Sequence, residues 1–205
     1  MSHCSDLCKA ECCKKWRITI LPFELEKAVS FTNMDRNFFI QKKCVLFAEL
    51  IPLNEKKAGI VVFSGLLPKS ISDKLKEEMG KVPDFFMALP YFAFDKNEAC
   101  TFLTDENLCG IYGARPKQCS LFPVLSLDKE TPLSEQYNFC ELAKSGKPEL
   151  DEEHLNATKH YFNSVEGNGF SKVWFSLPKK AIVKIGEKEF EVSREDFLGL
   201  LGPYA

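Results

Sequence analysis

Eight of the nine cysteines fall in two blocks, Cys4, Cys8, Cys12 and Cys13 near the N-terminus and Cys100, Cys109, Cys119 and Cys140 in the middle, with Cys44 alone between them. Thiolate sulfur is a soft donor that suits zinc or iron–sulfur clusters, and four thiolates fill a tetrahedral shell or hold a cluster. Eight clustered thiols therefore supply one or two such sets. The competing chemistry is a disulfide framework, which suits short secreted chains. Here Met1 to Lys15 is polar and has no apolar leader core, and an odd cysteine total leaves one thiol unpaired. A zinc with four thiolates, or an oxidised four-iron cluster with its cysteines, carries a net charge of about −2 and calls for cations and N–H donors. Lys9, Lys14, Lys15 and Arg17 flank the first block, and Arg115 and Lys117 lie within the second. Most of these read as solvated side chains. Arg115 is the exception: it sits between Cys109 and Cys119, and Pro116 stiffens the turn that carries it. Spacing alone names no metal, because neither a repeated Cys-x2-Cys knuckle nor the ferredoxin run is present.

Other chemistry finds little support. His154 and His160 are six residues apart, too far for a ligand pair on one helical turn, and His3 merely adjoins Cys4. Cys44 lies in an apolar stretch and reads as a small buried hydrophobe. Tyr112 reads as a packed ring whose hydroxyl reaches the turn. No Gly-x-Gly-x-x-Gly turn follows a strand and no Gly-x-Ser-x-Gly elbow occurs. The three residues between Cys8 and Cys12 also miss the Cys-x3-Cys-x2-Cys spacing of radical enzymes. Catalytic residues are therefore not identifiable.

The elements that must position these thiols are short. A helix is expected from Ser2 to Lys15, placing Cys4, Cys8 and Cys12 on one face with Cys13 turned away by about 100°. A strand follows over Trp16 to Ile20, then a helix from Pro22 to Ser30. Cys44 to Leu53 and Gly59 to Phe63 read as a hairpin around Asn54 to Lys57. Ser70 or Ser72 caps a helix to Met79, which Gly80 stops. Tyr91 to Phe94 is a short strand leading into the second block, which is mostly turns, with Gly110 and Gly113 letting backbone approach sulfur. After Pro148 come a helix over Glu152 to Val165 and a hairpin from Ala181 to Val192 turning at Gly186. A last helix, capped by Ser193, runs to Leu201.

At 205 residues, 45% of them hydrophobic, the chain can bury a core without relying on metal alone. The formal charge of −2 and the lack of a basic run remove the signature of a nucleic-acid binder. Apolar stretches fall short of the roughly 20 residues of a membrane span, since Glu49 interrupts the best one. The reading is a cytoplasmic protein with a protein or redox partner, engaging neither nucleic acid nor membrane.

Taken together, Cys4, Cys8 and Cys12-Cys13 before the Trp16 to Leu21 strand, Cys100-Thr-Phe-Leu, Cys109-Gly-Ile-Tyr112, Arg115-Pro116-x2-Cys119, Phe122-Pro123 and Cys140 resemble the YkgJ-type cysteine-cluster family. That family is a zinc- or iron-chelating CxxCxxCC domain, related to flagellin lysine N-methylase. The matching pieces cover residues 4 to 21 and about 91 to 140, with three-residue spacers here where the family often has two. The resemblance implies a metal site more firmly than a reaction.

The expectation is an α+β fold: a compact cysteine-rich metal-binding domain over 1–148, then a hairpin-and-helix appendage over 149–205. The eight ligands would be Cys4, Cys8, Cys12, Cys13, Cys100, Cys109, Cys119 and Cys140. They would hold an iron–sulfur cluster, four-iron in the simplest case, for electron transfer or redox sensing. The alternatives are structural zinc in a protein-interaction module, and an enzyme related to protein-lysine N-methylase.

Overall fold

The computed structural model describes residues 9–53, 60–123, 132–144, 156 and 178–201. In chain order the elements are α1 (Glu11–Lys15), β1 (Thr19–Ile20), α2 (Pro22–Thr32), α3 (Arg36–Lys43), β2 (Cys44–Pro52), β3 (Ile60–Phe63), α4 (Lys69–Met79) and β4 (Phe85–Phe94). They continue with α5 (Lys117–Leu121), α6 (Leu133–Gln136), α7 (Glu141–Lys144), β5 (Ala181–Ile185), β6 (Lys188–Val192) and α8 (Arg194–Leu201). This is a mixed α+β fold. The chain divides into two discontinuous units, residues 1–34 with 94–168 and residues 35–93 with 169–205.

The second unit is built on a sheet in the order β4-β2-β5-β6, with β3 also pairing β4. Strand β2 is almost continuously apolar and almost continuously buried, as a central strand covered on both faces must be. It pairs in parallel with β5, whose Ala-Ile-Val-Lys-Ile run is equally buried. Glu49 and Lys184 face each other in that register and form an ion pair at 2.9 Å. The hairpin from β5 to β6 turns at Gly186, whose φ of 58° suits a residue without Cβ. Helix α8 begins where Ser193 Oγ accepts from the Asp196 amide at 3.0 Å, and it buries Phe197, Leu200 and Leu201.

Three expectations change here. Strands β5 and β6, from the segment expected as an appendage over 149–205, pair into the sheet that β2 begins. Strand β3 pairs antiparallel with β4, from Ile60 opposite Ala88 to Phe63 opposite Phe85, rather than forming a hairpin with β2. The short Tyr91 to Phe94 strand is the end of the ten-residue β4. Helix α4 does stop at Gly80 (φ 67°), but Pro68 precedes it without a side-chain cap, and Ser70 instead hydrogen-bonds Asp196 at 2.6 Å. Of the helix expected over Glu152 to Val165 only Asn156, which is helical, is among the described residues, and the turn at 54–57 lies outside them.

The first unit is short helices and turns. Helix α2 opens with Pro22 and buries Leu25, Ala28 and Val29, while Phe23 and Phe31 on its other side are exposed. Among the described residues no helix is long and apolar enough to cross a membrane.

Candidate metal centre

Lys9 and Ala10 both take left-handed backbone, with φ of 48° and 56°, so a helix cannot run through them. Helix α1 starts only at Glu11 and carries Cys12 and Cys13 in its first turn, which replaces the continuous Ser2 to Lys15 helix. The Cys100 amide then donates to the Cys13 carbonyl at 2.8 Å, joining the backbone of the first block to that of the second. Lys96 Nζ donates to the Lys15 carbonyl at 2.8 Å. Arg17 reaches the carbonyls of Phe94 (3.3 Å) and Lys96 (3.4 Å), with Asp95 at 4.0 Å. Its side chain is only 6% exposed, so Arg17 acts as a clamp rather than as a solvated charge. Trp16 packs edge-on against Phe122, Tyr137 and Phe139 at 4.9–5.3 Å between ring centres, an arrangement that suits the ring quadrupoles.

The second block is folded by turns, as its glycines and prolines suggest. Leu103 bridges to Cys109, and the Gly110 amide donates to the Phe102 carbonyl at 2.8 Å. Asn107 supplies the left-handed residue of this loop, with φ of 58°. A single 3-10 turn over Tyr112–Ala114 leads to Pro116, whose carbonyl accepts from the Cys119 amide at 3.0 Å at the start of α5.

Two side chains fix α5 against the rest of the unit. Gln118 Oε1 accepts from the Thr19 amide at 2.8 Å and from the Thr19 hydroxyl at 3.0 Å. The buried Glu24 carboxylate accepts from the Leu21 amide at 2.9 Å and the Lys117 amide at 2.6 Å. It thereby ties the first turn of α2 to the first turn of α5, two residues from Cys119. Burial pushes the Glu24 carboxyl above the ordinary carboxylate range, while the two amides and then Lys117 and Lys27 pull it back.

Cys12, Cys13, Cys100, Cys109 and Cys119 all line one cavity of about 260 Å³, walled by Trp16, Phe94, Phe102, Phe122 and Tyr137. Each is a free thiol. Their electrostatics are mutual. Burial raises the Cys119 thiol well above its usual value, the neighbouring Cys100, Cys12 and Cys109 raise it further, and Arg115 opposes them. Burial likewise raises Cys109, against the Ile111 N–H donated to its sulfur and the charge of Arg115. A hydrogen bond with the Cys13 thiol, and then burial, push Cys12 up. All three shifts favour the protonated thiol.

The site therefore gathers five of the eight expected ligands from both blocks. Cys140 is buried beside α7 and does not line the cavity, and Cys44 is buried in β2. Cys4 and Cys8, with His3, His154 and His160, lie outside the described residues. Among the described residues, no three His, Cys, Asp or Glu side chains already stand in a metal-holding arrangement. The thiols suit a soft metal in chemistry, and all five line the one cavity. Sequence reasoning missed Glu24, Asn107 and Gln118. For Glu24 a signal existed, since it stands at the third helical position after Leu21, where a carboxylate reaches back to a free amide.

Fold and cavity define a mixed α+β protein with a thiol-lined pocket. The chain belongs to the CxxCxxCC family, "Putative zinc- or iron-chelating domain", whose profile matches residues 3–141. No curated protein and no solved structure gave a match.

Proposed function

We propose that this chain holds an iron–sulfur cluster through Cys12, Cys100, Cys109 and Cys119, and that it serves in electron transfer or redox sensing. The observation that carries this reading is that these four thiols, drawn from both blocks and with Cys13 beside them, line one aromatic-walled cavity. That cavity, about 260 Å³, is far larger than a single ion fills, roughly 10–15 Å³ being enough for one water. A lone zinc would draw four sulfurs to about 2.3 Å from one point, whereas a cluster would also take up part of the aromatic-walled space that these thiols line. A bound cluster supplies one-electron exchange. The protein supplies thiolates, an N–H donor from Ile111 to the Cys109 sulfur, and rings that exclude water. Anaerobic purification tests this directly: a brown protein with iron and acid-labile sulfide in equal amounts supports it. A colourless protein with one zinc per chain would replace it with a structural zinc site.

A further inference from the structure

Resting on the proposal that the thiols hold a soft metal, we infer that Arg115 is a positioning residue that serves as the fixed counter-charge of the loaded centre and sets how tightly the metal is retained. Four thiolates around a divalent ion or an oxidised four-iron cluster leave about two negative charges in a partly desolvated pocket. Uncompensated charge in such surroundings is costly. Arg115 is the single cation among the described residues lining the cavity. It lies between Cys109 and Cys119 in the chain and shares the cavity lining with both.

Three other cations near the blocks are engaged elsewhere. Arg17 holds the Phe94 and Lys96 carbonyls, Lys14 lies 3.7 Å from Glu11, and Lys15 sits 4.2 Å over the Phe139 ring. Among the described residues, no carboxylate pairs with Arg115. Its guanidinium instead lies over the Tyr112 ring, 4.3 Å from the centroid, and the extended backbone at Arg115 leads into Pro116. The ring and the proline therefore hold the charge in place without neutralising it. A guanidinium suits this task because it stays protonated at any working pH and stacks on a flat ring, as an ammonium does not.

The test measures cobalt(II) and zinc(II) affinity of the full reduced chain by chelator competition, for the wild type, R115K and R115Q. Outer-shell partners of metal sites typically contribute ten- to a hundredfold in affinity. R115Q is expected to lose that much while its cobalt spectrum keeps the thiolate charge-transfer intensity of the wild type. R115K, which retains charge but not the stacked plane, should fall in between and nearer the wild type. Affinity of R115Q within twofold of the wild type would overturn the inference, as would R115K matching R115Q. Should R115Q fail to fold, Tyr112→Leu decides: a several-fold loss supports the inference and unchanged affinity overturns it. Failure of the wild type to bind cobalt, zinc or iron at all would remove the metal reading itself, and the inference with it.

Discussion

Replacing Glu24 by glutamine should change both the size of the folding free energy and its dependence on pH. The carboxylate accepts two amide hydrogen bonds, at 2.9 Å from Leu21 and 2.6 Å from Lys117, and is 4% exposed. Glutamine fills the same space but offers one acceptor oxygen, so one amide is left facing an NH2 group. A hydrogen bond to a charged group is worth about 1.5–3 kcal/mol, which sets the expected loss near neutral pH. The sign of the pH effect follows from burial, the largest influence on this carboxyl, which raises its folded pKa above the unfolded value. The folded chain then binds more protons than the unfolded chain between those two values. Stability contributed by this group is therefore full below the ordinary carboxylate pKa of about 4.3, declines as pH rises through the window, and levels off above it. The slope contributed cannot exceed about 1.36 kcal/mol per pH unit, the value for one proton. The nearby lysines Lys117 and Lys27 act in the opposite sense, as the amides do. Urea unfolding of the wild type and Glu24→Gln from pH 4 to 8 reads the difference, in which contributions common to both chains cancel. The wild type's advantage over Glu24→Gln should shrink as pH rises through the window. An advantage that grows with pH would show that the amides outweigh burial and would refute the reasoning.

Phe197→Ala should cost about 3–5 kcal/mol in urea unfolding, because the ring is fully buried on α8 and its loss leaves a cavity; a loss below 1 kcal/mol would contradict that packing. Cys119→Ser should lower metal content, whereas Cys44→Ser, buried in β2, should leave metal content unchanged. Elemental analysis of both variants, purified alongside the wild type, checks this pair. Equal retention in the two would reject the choice of ligands.

The parts of the fold governed by local chemistry were legible in the sequence. Gly186 between the apolar run Ala181–Ile185 and the alternating run Lys188–Val192 marks the β5–β6 hairpin, Pro22 marks the start of α2, and Ser193 caps α8. Partner choice was not legible, because the β-branched run Ile60-Val61-Val62 identifies β3 as a strand without saying that β4 rather than β2 lies beside it. The parallel partnership of β2 with β5 joins residues about 135 positions apart, which no local pattern encodes. The break before α1 was hidden for a different reason: Lys9 and Ala10 carry no propensity for left-handed backbone, so the turn is imposed by the surrounding structure. The two cysteine blocks were visible as donors, and the Cys100 to Cys13 backbone hydrogen bond brings their segments together. Cys140 shows that spacing does not give placement, since it shares a block with Cys100, Cys109 and Cys119 yet does not line their cavity. Glu24 shows another limit, because its reach to Leu21 is local but its reach to Lys117 crosses 93 positions.

Thiol alkylation read by mass spectrometry, with and without bound metal, tests most directly whether one centre draws on both blocks. The account predicts that metal protects Cys12, Cys100, Cys109 and Cys119 together, leaving the reactivity of Cys44 and Cys140 unchanged. Protection confined to one block, or absent from all four, would contradict it.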